Sequence, residues 1–310
     1  MRYDLIVVGA GPAGMTAALY GARAGKRVLL LEATVAGGQI LNSQRIENYP
    51  ALPDTDGYTF TQNLYDQVVS LGVQIEYATV DGIEKRGELT AVLAGTQEFI
   101  GISVILATGL KHRQLGLEGE ARLIGRGISF CATCDGAFFR GREVAVLGGG
   151  NTAVQDALVL SELCSRVYLI HRRAQLRAER GLSERMLEKK NVEFLGETVI
   201  KEIRGEERLS SLLLSDTVGG EERELFVSGL FEAIGQIPQN EAFRGTVALD
   251  ENGYFLTDEN MATSLSGVFA AGDACRKNVR QLTTAVSDGT IAALSAIAYV
   301  DTFPGGGEGQ

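Results

Sequence analysis

Hydrophobic positions along this chain gather in short continuous runs that end on glycine or on an acid. Residues 3–8 (YDLIVV) form the first run and residues 27–31 (RVLLL) the second, with an Ala-rich stretch between them reaching about residue 24. Unbroken β-branched runs predict strands buried on both faces, as in a parallel sheet covered by helices. The same cadence returns with a strand at 143–147 (EVAVL), a helical stretch to about residue 163 and a strand at 167–170 (VYLI). Two more apolar runs, 103–109 (SVILATG) and 267–273 (GVFAAGD), end in small residues. The pattern predicts an α/β protein built from two Rossmann-like, three-layer nucleotide-binding domains.

What joins each strand to its helix sharpens the picture. The first junction is Gly9, Ala10, Gly11, Pro12, Ala13 and Gly14, a GxGxxG turn. Glu32 ends the next strand, 23 residues after Gly9. Glycines let backbone approach a pyrophosphate, the helix N-terminus attracts its charge, and an acid at this offset binds a ribose diol. The second junction is Gly148, Gly149, Gly150, Asn151, Thr152 and Ala153, a GxGxxA turn. The same offset of 23 from Gly148 falls on His171, followed by Arg172, Arg173 and Arg177 within HRRAQLR. Guanidinium groups clamp a 2′-phosphate that a carboxylate would repel. The first unit therefore suits FAD and the second NADPH; the alternative for HRRAQLR is a solvated charge run. Asp273, at the end of the 267–273 run, suits a ribityl hydroxyl or the N-cap of a following helix. Because that run follows the NADPH unit, the FAD domain is expected to be discontinuous, 1–115 plus 243–310, with the NADPH domain inserted at 116–242. Hinges are expected at 115–120 (LGLEGE) and 236–240 (QIPQN), and a disordered tail at 304–310 (PGGGEGQ).

Composition excludes more than it assigns. The net charge of −10 argues against nucleic acid as a partner. No apolar run approaches the ~18–20 residues of a membrane span, so neither a membrane anchor nor a targeting segment is expected, and the cytoplasm is the expected location. Four cysteines in 310 residues make no secreted disulfide scaffold. Cys164 and Cys275 stand alone and read as packing residues, and the two histidines, His112 and His171, are far apart, so zinc or another metal is not expected. Cys131 and Cys134 form a CxxC pair, a spacing that permits a reducible disulfide. Asp135 follows the pair at once, as a proton carrier for the thiols or as the turn residue of Asp-Gly. Phe138 and Phe139 read as core or as an anchor for a protein partner.

The ordered set GAGPAG (9–14), GGQ (37–39), ENYP (47–50), ATG (107–109), CATCDG (131–136), GGGNTA (148–153), HRRAQLRAE (171–179), GVFAAGD (267–273) and RQLTTA (280–285) resembles the bacterial-type, low-molecular-weight thioredoxin reductases over essentially the whole chain. The resemblance implies a homodimeric flavoenzyme that passes electrons from NADPH through FAD to the cysteine pair and on to the disulfide of thioredoxin. It implies that Cys134 exchanges electrons with the flavin, that Cys131 attacks the partner's disulfide, and that Asp135 is the acid/base. It places FAD against the first glycine turn and against Gly37, Gly38, Gln39, Asn48, Val80, Thr108, Gly109, Gly272, Asp273, Arg280, Gln281 and Leu282. NADPH falls to Gly148, Gly150, Asn151, Thr152, His171 and the three arginines. It also implies a rotation of one domain against the other. Two departures stand out: Leu282 where an alanine is usual, and Gln155-Asp156 where a Glu-Glu pair is usual. Competing readings are a relative fed by ferredoxin or acting on a small dithiol, a hydroperoxide reductase flavoprotein with an added N-terminal disulfide domain, and a flavin-bound redox sensor. With the first strand at Tyr3 that added domain is not expected, and HRRAQLR argues against ferredoxin. Purified protein is expected to be yellow, with the visible absorbance of a bound flavin; a colourless preparation would count against the first unit as a FAD site.

Overall fold

The computed structural model describes residues 2–43, 46, 48–52 and 55–303. The expected disordered tail and Glu47 of the ENYP motif lie outside the described residues. The chain divides into two compact units, one of Met1–Leu41, Tyr49–Lys111 and Ile237–Gln310, the other of Asn42–Asn48 and His112–Gln236.

In the first unit the central strand Arg2–Val8 lies parallel to Val28–Glu32 on one side and to Gln97–Leu106 on the other. Strand Val268–Ala270 pairs in parallel with the far edge of Gln97–Leu106. The registers Val8↔Leu31, Val8↔Leu106 and Ala270↔Leu106 bring four strand ends level. Gly9, Glu32, Ala107 and Ala271 therefore leave the sheet side by side. Alternate residues serve opposite faces. Leu5, Val7, Leu30 and Ile105 pack into one apolar cluster, Ile6, Val8, Leu29 and Val104 into another. Burial of this kind contributes roughly 1.5–3 kcal/mol per large side chain. The first helix, Pro12–Arg23, begins on a proline, whose fixed φ suits a first helical position. The last helix, Leu282–Asp301, crosses it so closely that a Cβ on Gly289 would sit 2.2 Å from Ala13 O.

The second unit repeats the parallel plan with strands Val192–Leu195, Arg166–Ile170, Glu143–Leu147, Gly229–Glu232 and Ile128–Ser129, in that spatial order. Each unit also carries antiparallel strands that the apolar runs do not announce. Gly82–Arg86 and Leu89–Ala94 extend the first sheet. Thr198–Arg204, Ser211–Asp216 and Glu222–Phe226 form a separate sheet whose Ile200, Ile203, Leu212 and Leu214 face the core. Only one face of such a sheet is buried, so its sequence alternates and carries charge.

The two crossings between units, Leu110–His112 and Gln236–Pro238, pair as a two-stranded sheet. The QIPQN segment, expected to be a hinge, is thus half strand. Its last residue, Asn240, is 1% exposed and fully engaged. Its Nδ2 donates to Gly253 O at 2.9 Å and Ala274 O at 3.1 Å, and its Oδ1 accepts from Thr108 Oγ1 at 2.6 Å. Asn240→Ala would remove all three hydrogen bonds and leave the Gly253 carbonyl and the Thr108 hydroxyl without these partners, so a loss of roughly 2–4 kcal/mol is expected in denaturant unfolding.

Candidate active site

Cys131 and Cys134 form a disulfide with their Cα atoms 5.3 Å apart. The short helix Ala132–Asp135 makes this possible, because one turn brings positions i and i+3 together. Cys131 is the helix's own N-cap, its Sγ accepting the Cys134 N–H at 3.2 Å. The Thr133 hydroxyl reaches the same sulfur at 3.3 Å. Two donors on one sulfur favour its thiolate once the disulfide opens.

Asp135 closes the turn. Its Oδ2 accepts the Ser129 hydroxyl at 2.6 Å, and Ser129 Oγ in turn accepts the Cys131 N–H at 3.1 Å. Its Oδ1 is buried without a hydrogen-bond partner among the described residues. Burial pushes the carboxyl up, and the Ser129 hydrogen bond pulls it partly back. An acid held this way takes up and releases a proton nearer neutral pH than a surface aspartate. Asp135 ends the short helix, and Gly136 after it is right-handed at φ −56° and starts the 3-10 turn Gly136–Phe139. Asp156, one of the unusual pair after the second glycine turn, lies on helix Asn151–Ser161 facing the Ala132 N–H, and burial pushes it up to about 7.

The second glycine turn follows at once. A Cβ on Gly148 would sit 2.5 Å from Ala233 O, so the helix starts hard against the strand ends. Gly150 has nothing within 4 Å of its Cβ position, which leaves the cradle open on that side. Asn151 opens the helix and exchanges hydrogen bonds with Glu179, at 2.8 Å to its N–H and 3.1 Å to its side chain. Arg177 N and Ala178 N donate to Gly149 O at 2.7 and 3.1 Å. The HRRAQLR run is thereby folded back over the turn. Arg172, Arg173 and Arg177 are exposed and form no ion pair among the described residues, and Thr152 at the helix start is exposed as well. His171 is 5% exposed with its ring against Gly149. Burial first, then Arg177, Arg173 and Arg172, hold its pKa below the usual histidine range. Three unpaired cations around a neutral histidine, beside an open glycine cradle, fit a 2′-phosphorylated nucleotide.

The first glycine turn has the same crowding and the same opening. A Cβ on Gly9 would sit 2.3 Å from Ala107 O and one on Gly14 1.8 Å from Gly9 O, whereas Gly11 meets nothing within 4 Å. Glu32 Oε2 accepts the Ala10 N–H at 2.8 Å. Gly37 N donates to Ala10 O at 2.8 Å, and a Cβ on Gly38 would sit 3.3 Å from Gly11 Cα, which carries exposed Gln39 to the same edge. A Cβ on Gly272 would touch the Cβ of Ala13 at 2.8 Å, and this brings Asp273 to the cradle. Asp273 Oδ1 is buried without a hydrogen bond among the described residues, with the Lys277 ammonium 3.5 Å away. Asp273 is not the N-cap of the last helix. It lies in the turn Gly272–Ala274, and Gln281 caps the helix through a capping box with Thr284. Arg280 stacks its guanidinium 4.5 Å over Tyr254 and donates to Asp273 O, while Leu282 begins the helix half-buried. Thr108 and Gly109 follow the strand end at Leu106, and Val80 packs beneath on the other apolar cluster. The open glycine and a carboxylate oxygen that accepts no hydrogen bond among the described residues fit a dinucleotide with a polyol chain. Asn48 belongs to the other unit's residues and is exposed there.

The family model for pyridine nucleotide-disulphide oxidoreductases matches residues 3–289. A thioredoxin reductase of Treponema pallidum is 44% identical over 302 residues, covering 97% of this chain and 98% of that one. A thioredoxin reductase of Bacillus subtilis is 40% identical over 300 residues, covering 96% and 95%. The crystal structure of a thioredoxin reductase from Streptococcus pyogenes superposes with a TM-score of 0.94 at 38% identity, covering 97% and 99%. The chain belongs to the pyridine nucleotide-disulphide oxidoreductases. Like the thioredoxin reductases among them, it is an oxidoreductase that uses FAD and NADPH.

Other expectations meet the structure as follows. Cys164 and Cys275 are buried in apolar clusters, and burial pushes their thiols up to about 11 and about 12. Phe139 is not a free anchor. It packs edge-on against buried Phe231 at 5.3 Å and fills the space that Gly229 leaves. Among the described residues no group of three His, Cys, Asp or Glu could hold a metal, and no helix is long and apolar enough to cross a membrane. Three residues escape the sequence reading. Ser129 stands two before Cys131, the one local signal available. Asn240 is hidden in the QIPQN turn signal. His112 stacks on Phe130 at 4.2 Å, with burial pushing it down to about 4. Thr133→Val removes the hydroxyl from Cys131 Sγ but not the amide. The reduced Cys131 thiol is expected to titrate about one pH unit higher, read by the pH dependence of its alkylation rate.

Proposed function

We propose that the enzyme is a thioredoxin-disulfide reductase whose first unit holds FAD and whose second holds NADPH and the exchanging Cys131–Cys134 pair. The observation that carries this reading is the disulfide on a one-turn helix directly ahead of the arginine-lined glycine turn. The relatives named above, thioredoxin reductases over nearly the whole chain, support it. Bound FAD and NADPH supply the electron pair. Gly9, Gly11, Gly14, Glu32, Asp273 and Arg280 would hold the first. Gly148, Gly150, Arg172, Arg173 and Arg177 would hold the second.

The chain's own residues then act in order. Cys131, as the thiolate favoured by the Cys134 N–H and the Thr133 hydroxyl, attacks one sulfur of the partner's disulfide. That bond breaks as the Cys131–partner bond forms, and the leaving thiolate takes a proton. Cys134 attacks Cys131 Sγ, re-forming the intramolecular disulfide and releasing the partner as a dithiol. The partner gains two electrons and two protons in all. Asp135, held by Ser129 and pushed up by burial, supplies and recovers a proton beside the pair. The family resemblance supports a cytoplasmic homodimer and a rotation of one unit against the other, hinged at 115–120 and 236–240.

The deciding measurement adds thioredoxin to the enzyme and follows NADPH and NADH oxidation separately. NADPH is expected to be strongly preferred. Arg172→Ala should raise the KM for NADPH about tenfold, the scale of one charge-assisted hydrogen bond, and leave that for NADH nearly unchanged. Cys134→Ser should abolish thioredoxin reduction yet spare flavin reduction by NADPH. Asp135→Asn should slow turnover about a hundredfold and flatten its pH profile. Turnover without added disulfide protein, or loss of flavin reduction in Cys134→Ser, would sink the assignment.

A further inference from the structure

Two carboxyl groups outside the redox centre, Glu120 and Glu232, are both buried in the second unit, and Glu120 stands close enough for its charge to act on Glu232. Glu120 is 2% exposed and Glu232 is 3% exposed. Glu120 Oε1 accepts the Leu115 N–H at 2.8 Å, and its Oε2 accepts those of Gly116 and Leu117 at 2.7 and 3.0 Å. One side chain thus fixes three successive amides where the chain enters the cysteine-bearing unit. Glu232 ends the strand Gly229–Glu232, and neither of its oxygens has a hydrogen-bond partner among the described residues.

Among the described residues no cation compensates Glu232. Glu120 is the one charged group that acts on it. Arg122, on the same short helix as Glu120, donates instead to Gly205 O at 2.9 Å. Arg113 lies along Gly235. Glu143, at the far end of the neighbouring strand Glu143–Leu147, is exposed and accepts the Tyr168 hydroxyl. Strand Ile128–Ser129 carries no charge, and Leu230 beside Glu232 joins the apolar cluster of Leu123, Ile128 and Leu147. Two adjacent carboxylates in such a setting cannot both be ionised. The three amides require the charge on Glu120, so the proton falls to Glu232, whose O–H then has an acceptor.

We propose that Glu232 is a positioning residue: it stays protonated, donates its proton to Glu120, and so latches residues 115–117 at the entrance to the cysteine-bearing unit. Burial, with the charge and hydrogen bond of Glu120, pushes the Glu232 carboxyl up to about 9. The native chain keeps a proton that an ordinary glutamate, at 4.5, releases. The group's contribution to stability is therefore complete below 4.5 and is lost as pH rises through about 9. Above that, two charges repel and the amides of 115–117 are released.

The test uses full-length, FAD-loaded enzyme and needs no assumption about the partner. The infrared difference spectrum between wild type and Glu232→Gln at neutral pH should contain one carboxylic-acid C=O band. Amide hydrogen exchange at 115–117, expressed as protection factors, should fall about tenfold in wild type as pH passes about 9. In Glu232→Gln, whose amide donates without titrating, protection should persist. The alkaline decline of kcat should move to higher pH in that variant while KM stays unchanged. No acid band lost on substitution, or equal loss of protection in both proteins, overturns the latch. If Glu232→Gln does not fold, wild type labelled with 13C-glutamate decides alone: a glutamic-acid band that vanishes through about pH 9 supports the latch, and its absence at neutral pH overturns it.

Discussion

Everything in both units hangs on backbone meeting backbone at a glycine turn. At Gly14 a side chain would lie 1.8 Å from Gly9 O, and at Gly148 it would lie 2.5 Å from Ala233 O. These contacts let a helix start directly on the ends of parallel strands, where its free amides and partial positive charge gather. The level register of the strand ends then decides which side chains stand around that start. In the first unit these are Glu32 and Asp273, suited to the hydroxyls of a ribose and a polyol. In the second they are His171 and the arginines after it. A β-carbon at either crowded glycine would push the helix outward and scatter the set.

The second unit manages charge unevenly. The chain is acidic, with a net charge of −10, and most of its exposed arginines that form ion pairs do so with glutamate. Arg172, Arg173 and Arg177 do not, among the described residues, and this leaves a local positive field in a negative protein. The buried acids follow a complementary rule. Asp135 is held by one hydroxyl, Asp156 faces one amide, and Glu232 has, among the described residues, another carboxyl acting on it and no cation. Each is therefore pushed towards its neutral form, whereas Glu120, with three amides, can keep its charge. Protons in this unit are stored on side chains whose surroundings cannot support an anion.

The strand–turn–helix cores were readable because burial on both faces makes a strand uniformly apolar, and glycine is the one residue that allows the close approach. The cysteine pair was readable because its spacing is its geometry. The meander at 82–106 and the sheet at 198–226 were not, since half-exposed strands mix charge with apolar residues and look like loops. Asn240 was hidden for a related reason: a polar residue after proline signals a turn, and nothing local tells that its amide ties Thr108 to Ala274. Phe139 shows the reverse ambiguity. Its partner, Phe231, lies far along the chain, so an aromatic that is core could pass for a surface anchor.

The discontinuity of the first unit bears on the order in which the protein is made. Strand Val268–Ala270 completes the sheet against Gln97–Leu106, and helix Leu282–Asp301 covers the helix Pro12–Arg23. Neither can form until residues 268–301 have been synthesised. Residues His112–Gln236 are contiguous and leave the ribosome well before that. The cysteine-bearing unit can thus reach its native packing while the first unit still waits on the ribosome with an unpaired sheet edge and an uncovered helix face. That interval is where a chaperone would matter most to this chain, and substitutions in the last helix are the ones that would lengthen it.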